Sequence, residues 1–256
     1  MPKKIDPTRY DTDKPGLTAY FENYERLFGP IAEEKIALLE LGVKRGGSLK
    51  IWRDYFTNGT IVGLDISPVH LEDDTGRIHV YQGMQQDMQL LDRIAAQRAP
   101  DGFDVVIDDC AHIGEFSAIS FWHLFEHHLK PGGMYVIEDW GTGYWQKWPD
   151  GKRYRINLDP SSFRSRLRPL VERLLARPAV KSRPELFRLV GAAMNHLVRK
   201  KFPTHQYGMV GFIKQLVDEC AAANISDLEW GTPPFRTSKI HSLQISLGQV
   251  VVVKAG

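Results

Sequence analysis

The stretch Ile36-Ala37-Leu38-Leu39-Glu40-Leu41-Gly42-Val43-Lys44-Arg45-Gly46-Gly47-Ser48 sets the fold class, because a short apolar run breaks into a glycine-bearing turn that leads straight into a helix. A short apolar segment closed by turn residues reads as a buried strand. Strand, turn and helix in that order open a βαβ unit. Outward from there the same alternation continues, with strands expected at Ile36 to Leu41, Thr60 to Ile66, Ile78 to Gly83, Phe103 to Asp109 and Gly133 to Asp139, and helices in the gaps. The clearest helix is expected from Glu115 to Leu129, where Phe116, Ile119, Phe121, Trp122, Phe125 and Leu129 mostly recur at helical spacing and Lys130-Pro131-Gly132-Gly133 stops it. Beyond Trp148 the pattern turns helical. Phe163, Leu167, Leu170, Val171, Leu174 and Leu175 fall on one face, and a second helix is expected from Pro184 to Val198. A third, Val210 to Ala223, returns to the core, and Ile240 to Ser246 and Gln249 to Lys254 flank Leu247-Gly248 as a β-hairpin. The expectation is an α/β, Rossmann-like single domain over residues 1–256. It has a mostly parallel seven-stranded sheet, a C-terminal antiparallel hairpin and a helical insertion at 149–205.

Composition is that of an ordinary globular enzyme, 43% apolar and 25% charged. Lys3 and Lys4 are followed by polar residues rather than by an apolar signal core, and no run approaches the ~20 apolar residues of a membrane span. Only Cys110 and Cys220 occur, which speaks against a disulfide framework and a thiolate zinc site. A cytoplasmic location, away from membranes, is the expectation. Between Gly151 and Phe202 fourteen Lys or Arg stand against Asp159, Glu172 and Glu185. Such a run fits a solvated helical face, a binding surface for an anionic acceptor, or a nucleic-acid contact. Aromatic interleaving is sparse, with Phe163 and Phe187 on apolar helix faces, so a lid or subunit contact in a homo-oligomer is favoured over a base-stacking platform.

The turn after the first strand lacks the dinucleotide pattern G-x-G-x-x-G, so it reads either as a cofactor loop or as a tight turn. Glycine there lets backbone approach a ligand closely. Asp65 closes Ile61-Val62-Gly63-Leu64-Asp65, where a carboxylate can take both hydroxyls of a ribose. A cationic cofactor without phosphates, such as S-adenosylmethionine, suits carboxylates at this end, although Lys44 and Arg45 could face a pyrophosphate.

Ligands of open α/β sheets bind beyond the carboxyl ends of the strands, near the topological switch point. Asp108 and Asp109 end one strand and Glu138 and Asp139 end another. If those strands are neighbours, about 4.8 Å apart, up to four carboxylates crowd together and need protons or a cation. Without a Cys or His cluster, a hard ion with oxygen ligands fits, Mg²⁺ first, then Mn²⁺ or Ca²⁺. The competing reading is that these acids cap the helices that follow.

Taken together, Glu40-Leu41-Gly42-Val43, Gly46-Gly47-Ser48-Leu49 and Gly63-Leu64-Asp65-Ile66 resemble the macrocin and mycinamicin sugar O-methyltransferase family. So do Thr12-Asp13-Lys14, Ile107-Asp108-Asp109-Cys110-Ala111-His112, Pro131-Gly132-Gly133-Met134-Tyr135-Val136-Ile137-Glu138-Asp139 and Gly208-Met209-Val210-Gly211-Phe212. The resemblance spans most of the chain and thins from Pro149 to Lys201. It implies a class I methyltransferase sheet and transfer of a methyl group from S-adenosylmethionine to a hydroxyl of a small molecule, with Mg²⁺ (or Mn²⁺) assisting. It assigns Asp109, Glu138 and Asp139 as metal ligands, and His112 of the D-x-x-H motif as general base, a role its ordinary pKa near 6.5 suits. Cofactor contacts fall to Glu40, Gly42, Gly47, Ser48, Asp65 and Asp108, and to Gln85, which reads equally as a loop glutamine. Lys44 stands where most class I enzymes have a second glycine. Trp140, Tyr144, Trp145 and Trp148 either wall an acceptor pocket or pack in the core, and His205 and Tyr207 are candidates for a lid. Two other functions share these residues: a nucleic-acid methyltransferase using the basic insertion, and a cofactor-binding relative with other, hydroxylase-like chemistry.

Overall fold

A computed structural model of the chain describes residues 3–12, 18–153 and 204–256, with isolated positions at 173, 185 and 188. The chain divides into two compact units, residues 1–152 with 206–256, and residues 153–205. The helices expected within 149–205 lie outside the described residues. Among the described residues no helix is long and apolar enough to cross a membrane.

The first unit carries one seven-stranded sheet in the order β3-β2-β1-β4-β5-β7-β6. Its strands are β1 (Ala37–Leu41), β2 (Thr60–Asp65), β3 (Ile78–Gln82), β4 (Phe103–Asp108), β5 (Leu129–Glu138), β6 (Ile240–Ile245) and β7 (Gln249–Lys254). β1 to β5 pair in parallel, and β7 runs antiparallel to both β5 and β6. The fold class expected from the strand alternation and the terminal hairpin is the one found. The helices of this unit are α1 (Thr18–Phe28), α2 (Gly47–Tyr55), α3 (Met88–Arg98), α4 (Gly114–His127), α5 (Gly208–Cys220) and the short α6 (Ala222–Ile225).

Strand alternation sorts the core into two layers. On one face Leu39, Leu41, Val106, Tyr135 and Ile137 pack with Leu91 of α3, Phe121 of α4 and Phe212 of α5. On the other, Leu38, Val105, Ile107 and Val136 pack with Tyr24 and Phe28 of α1 and Trp52 of α2. Helix α1 was not singled out in the sequence, yet it repeats Phe21, Tyr24 and Phe28 at helical spacing, and all three are buried. Edge contacts of Tyr24 and Phe28 with Trp52, at 4.9 and 5.9 Å between centroids, tie α1 to α2. Each such pair adds about 0.5–1.5 kcal/mol beyond its burial.

Boundaries differ from expectation at the junction of α4 with β5 and at both ends of α5. Helix α4 ends at His127, and Leu129 already begins β5 opposite Phe103. The next β4 partner, Val105, meets Met134, so Lys130 to Gly133 bulge out of the strand rather than stop the helix. Pro131 has no N–H to give and Gly132 sits at φ +75°, which suits a bulge. Helix α5 starts at Gly208, two residues before the expected Val210, and breaks at Ala221.

The loop into β3 is organised by Asp73, whose side chain is 7% exposed. Its carboxylate accepts hydrogen bonds from the backbone N–H groups of Arg77 and Ile78 and from the Arg53 guanidinium. Burial alone would raise its pKa, but the bonds from Ile78, Thr75 and Arg53 outweigh burial and hold it well below the usual carboxylate range. A depressed native pKa contributes stability that is present above the unfolded value of about 4 and lost as pH falls toward the native one. Asp73→Asn is therefore expected to cost about 2 kcal/mol at pH 7 in urea unfolding, with the penalty shrinking below pH 4. An equal penalty at pH 7 and pH 3 would assign the effect to shape rather than charge.

Candidate active site

The chain runs outward through β1, β2 and β3 and then returns to β4 beside β1, so the topological switch lies between β1 and β4. At that point Gly42 follows β1 at φ +87°, and a Cβ built on it would sit 2.1 Å from the Asp109 carbonyl oxygen. Only glycine lets the two strand ends approach so closely. Above them opens a cavity of about 770 Å³, well within the size range of small-molecule sites. One end is lined by Gly42, Lys44, Gly47, Ser48, Asp65 and Gln85, the other by Asp109, His112, Glu138, Asp139 and Trp148.

At the first end the turn is stapled from below and from the side. Asp65 Oδ2 accepts from the backbone N–H groups of Val43 and Lys44 at 2.9 and 2.8 Å, and Oδ1 from Ser67 at 2.8 Å. Ser48 Oγ donates to the fully buried Glu40 at 2.8 Å. Gly47 carries the N-terminal segment, since a Cβ there would lie 2.0 Å from the Asp11 carbonyl oxygen. Arg45 forms a two-point ion pair with Asp11. Lys44 adopts φ +55°, the left-handed backbone that a glycine takes without strain.

At the other end three of the four carboxylates, Asp109, Glu138 and Asp139, line the cavity together, and strand alternation parts Asp108 from them. Asp108 points to the α4 side and is 1% exposed, outside the cavity lining. Burial raises its pKa to about 6, although the Gln85 amide donates to it at 3.2 Å. Glu138 points to the α1 side, where the Tyr24 hydroxyl donates to it. Asp109 and Asp139 stay together with His112, with ligand-type atoms of the three residues all within 4.8 Å. His112 Nε2 lies 3.7 Å from Asp109 Oδ1 and 3.8 Å from Asp139 Oδ2.

Several supports were not singled out in the sequence. Tyr20 donates to Asp139 Oδ1 at 2.7 Å, one helical turn from Tyr24 on α1. Burial, with Glu138 and Asp109 nearby, drives the Tyr24 hydroxyl well above its usual pKa, so it remains a donor. Asp150 Oδ2 accepts from Gly114 N–H and Met209 N–H at 2.9 and 2.7 Å, capping α4 and α5 together. Trp148 Nε1 donates to the His112 carbonyl at 3.1 Å and its ring lies 5.7 Å from the imidazole. Gln85 accepts from Ala111 N–H and donates to Asp108 and Ser120, so its amide holds the loop before His112. The i,i+4 pair Tyr20 and Tyr24 was the available signal for α1. Asp150 had none, because its two partners are distant in sequence. Trp145 is 57% exposed and Trp140 donates to the Ser246 carbonyl, so of the four aromatic candidates Trp148 is the one that lines this cavity.

Among the described residues, three non-glycine positions have positive φ, namely Lys44, His112 and Asp139, and all three line the cavity. Each such position costs about 1–3 kcal/mol and persists only where surrounding structure holds it. Burial pushes the Cys110 thiol up to about 12, which leaves it a neutral wall and not a nucleophile.

This sheet order, with an antiparallel last strand and a site at the β1–β4 switch, is the class I methyltransferase fold. No family model matches the chain. Over 146 residues, 54% of this chain, it is 42% identical to the mycinamicin VI 2''-O-methyltransferase of Micromonospora griseorubida. Over 145 residues it is 41% identical to the 8-demethyl-8-(2-methoxy-alpha-L-rhamnosyl)-tetracenomycin-C 3'-O-methyltransferase of Streptomyces olivaceus. The chain spans 36% of the length of each of these relatives. A crystal structure of the MycE methyltransferase from the mycinamycin biosynthetic pathway, in complex with Mg and SAH, matches 99% of this chain and 54% of that one, with 28% identity and a TM-score of 0.67. The chain is thus a relative of named sugar O-methyltransferases. The likeness at 41–42% identity covers about half of it, and the match to the MycE structure nearly all of it.

Proposed function

We propose that the chain transfers a methyl group from S-adenosylmethionine to a hydroxyl of a small molecule, a sugar of a glycosylated metabolite, with Mg²⁺ (or Mn²⁺) as metal. The observation that carries this is the joining, in one cavity at the switch point, of the Gly42–Ser48 turn with Asp65 and the Asp109, His112, Glu138 and Asp139 set. The donor chemistry fits the metal: carboxylates dominate, one imidazole accompanies them, and the one thiol lining the cavity is held protonated. The relatives' names and the Mg and SAH of the MycE complex point the same way.

In this reading Asp109, Glu138 and Asp139 hold the metal, with Tyr20 and Tyr24 fixing two of the carboxylates from behind. When bound, the metal supplies Lewis acidity toward the acceptor oxygen. Asp65 takes the cofactor ribose, while Gly42, Gly47 and Ser48 let its amino-acid end lie close to backbone. Glu40 and Asp108 act from beneath, through Ser48 and Gln85. His112 Nε2 accepts the acceptor's hydroxyl proton as the oxygen attacks the sulfonium methyl. The C–S bond breaks as the O–C bond forms, giving S-adenosylhomocysteine and a methyl ether. Alignment of the two substrates supplies most of the rate, with no covalent enzyme intermediate. The reading includes a cytoplasmic homo-oligomer that makes no use of nucleic acid, supported by the amphipathic pattern of 149–205 and by the relatives' small-molecule acceptors.

The test is calorimetric titration of S-adenosylmethionine, S-adenosylhomocysteine and Mg²⁺, followed by transfer of labelled methyl to a panel of glycosylated metabolites with and without chelator. One cofactor site, one metal site and a chelator-sensitive product are expected. Product formation that chelator leaves unchanged would remove the metal from the reaction, and absence of cofactor binding would end the proposal.

A further inference from the structure

Far from the cavity, at the other end of α4, a second group of metal-type donors comes together. His123 near the end of α4 and His128 just beyond it both aim Nε2 at a single oxygen, Asp92 Oδ1 of α3, at 2.7 and 2.6 Å. The ligand-type atoms of the three residues lie within 4.8 Å of one another. The helix between His112 and this cluster spans roughly 20 Å, so the two sites are separate. We propose that Asp92, His123 and His128 form a binding site for a borderline transition ion, Zn²⁺ in the first place, that clips α3 to the α4–β5 junction.

Three properties carry this. Two imidazoles and one carboxylate select Zn²⁺, Co²⁺, Ni²⁺ or Cu²⁺ and discriminate against Mg²⁺ and Ca²⁺, which want oxygen. The two imidazoles are held in place, with side chains only 13% and 20% exposed, whereas Asp92 is 53% exposed and has room to move. Donors around a tetrahedral zinc with bonds of 2.0–2.1 Å stand about 3.3 Å apart, so a small outward shift of the Asp92 carboxylate opens the space for the ion. On binding, each imidazole gives up to solvent the Nε2 proton it donates to Asp92, holds its remaining proton on Nδ1 and turns the freed Nε2 lone pair to the metal, while water completes the coordination. Hydrogen bonds from the two imidazoles, His128 first, hold the Asp92 carboxyl below its usual pKa, so it is ready as an anionic ligand. The C-terminal end of α4 leads straight into β5, whose far end carries Glu138. An ion here therefore stiffens the base of the element that presents the proposed catalytic carboxylates.

The test uses the full, tag-free chain carrying Asp109→Ala, so that the cavity carboxylates do not compete. Titration with ZnCl₂ in excess Mg²⁺ is expected to show one Zn²⁺ bound per chain at micromolar concentration or tighter, with a rise in thermal midpoint. Adding His128→Gln, which keeps a hydrogen-bond donor for Asp92 but removes the imidazole, is expected to weaken binding at least tenfold. His123→Gln reads the same effect should the first variant fold poorly, as judged by circular dichroism. Zn²⁺ affinity equal in parent and glutamine variants, or no stoichiometric uptake by the parent, would overturn the site and leave the three residues a hydrogen-bonded trio.

Discussion

Asp109→Ala is expected to weaken Mg²⁺ binding by at least about a hundredfold and to lower methyl transfer by about a thousandfold or more, while S-adenosylhomocysteine binds within a few fold of wild type. The separation rests on which atoms of Asp109 do what. Its carbonyl oxygen is the surface against which Gly42 packs, and its backbone N–H donates to Leu41 at 2.9 Å. Neither is touched by the substitution. Its carboxylate faces His112 and Asp139 across the cavity, and that is what alanine removes. Calorimetry with metal and cofactor titrated separately reads the two effects apart. Parallel loss of both ligands would mean that the side chain supports the cofactor end too, and that the cavity works as one unit rather than as two joined sites.

Much of this division was legible in the sequence. Strand alternation and the Gly42 turn gave the sheet, and the paired acids after β4 and β5 gave the chemical end. What the linear pattern did not reveal was which way each acid points. In a strand, neighbouring side chains face opposite layers, so Asp108 turns to the α4 side, where Gln85 bridges it to Ser120, and Glu138 to Tyr24 of α1. That parity was available from the apolar neighbours: Val106 and Ile137 share one layer with Asp108, Ile107 and Val136 the other with Glu138. The partners were not available, because Tyr24 is 114 residues from Glu138 and Asp150 is 59 from Met209. Such contacts follow from tertiary packing, and local periodicity carries no trace of them. The bulge at Lys130 to Gly133 is hidden in the linear pattern for a related reason. Pro-Gly after a helical run signals a stop, but here the helix had already ended, and the sheet absorbed the extra residues as a bulge.

Gly42→Ala is expected to destabilise the chain by roughly 3–5 kcal/mol and, in whatever fraction folds, to abolish cofactor and metal binding together. Two costs add. At φ +87° an L-residue pays about 1–2 kcal/mol for the left-handed backbone. The added Cβ would also meet three backbone atoms, the Asp109 carbonyl oxygen at 2.1 Å, its carbon at 2.6 Å and Cys110 Cα at 2.7 Å. No side-chain rotation relieves a collision with backbone, so the ends of β1 and β4 must part. Parting them moves the Val43 and Lys44 N–H groups off Asp65 and carries Asp109 away from His112 and Asp139. Gly29→Ala supplies the control, since nothing lies within 4 Å of a Cβ there and its φ is not positive. Urea unfolding together with S-adenosylhomocysteine and Mg²⁺ titration should show Gly29→Ala near wild type and Gly42→Ala deficient in all three. A Gly42→Ala chain that kept its stability and bound both ligands would mean that the strand ends have slack at the switch point, and that the close approach of β1 and β4 is not what joins the two halves of the site.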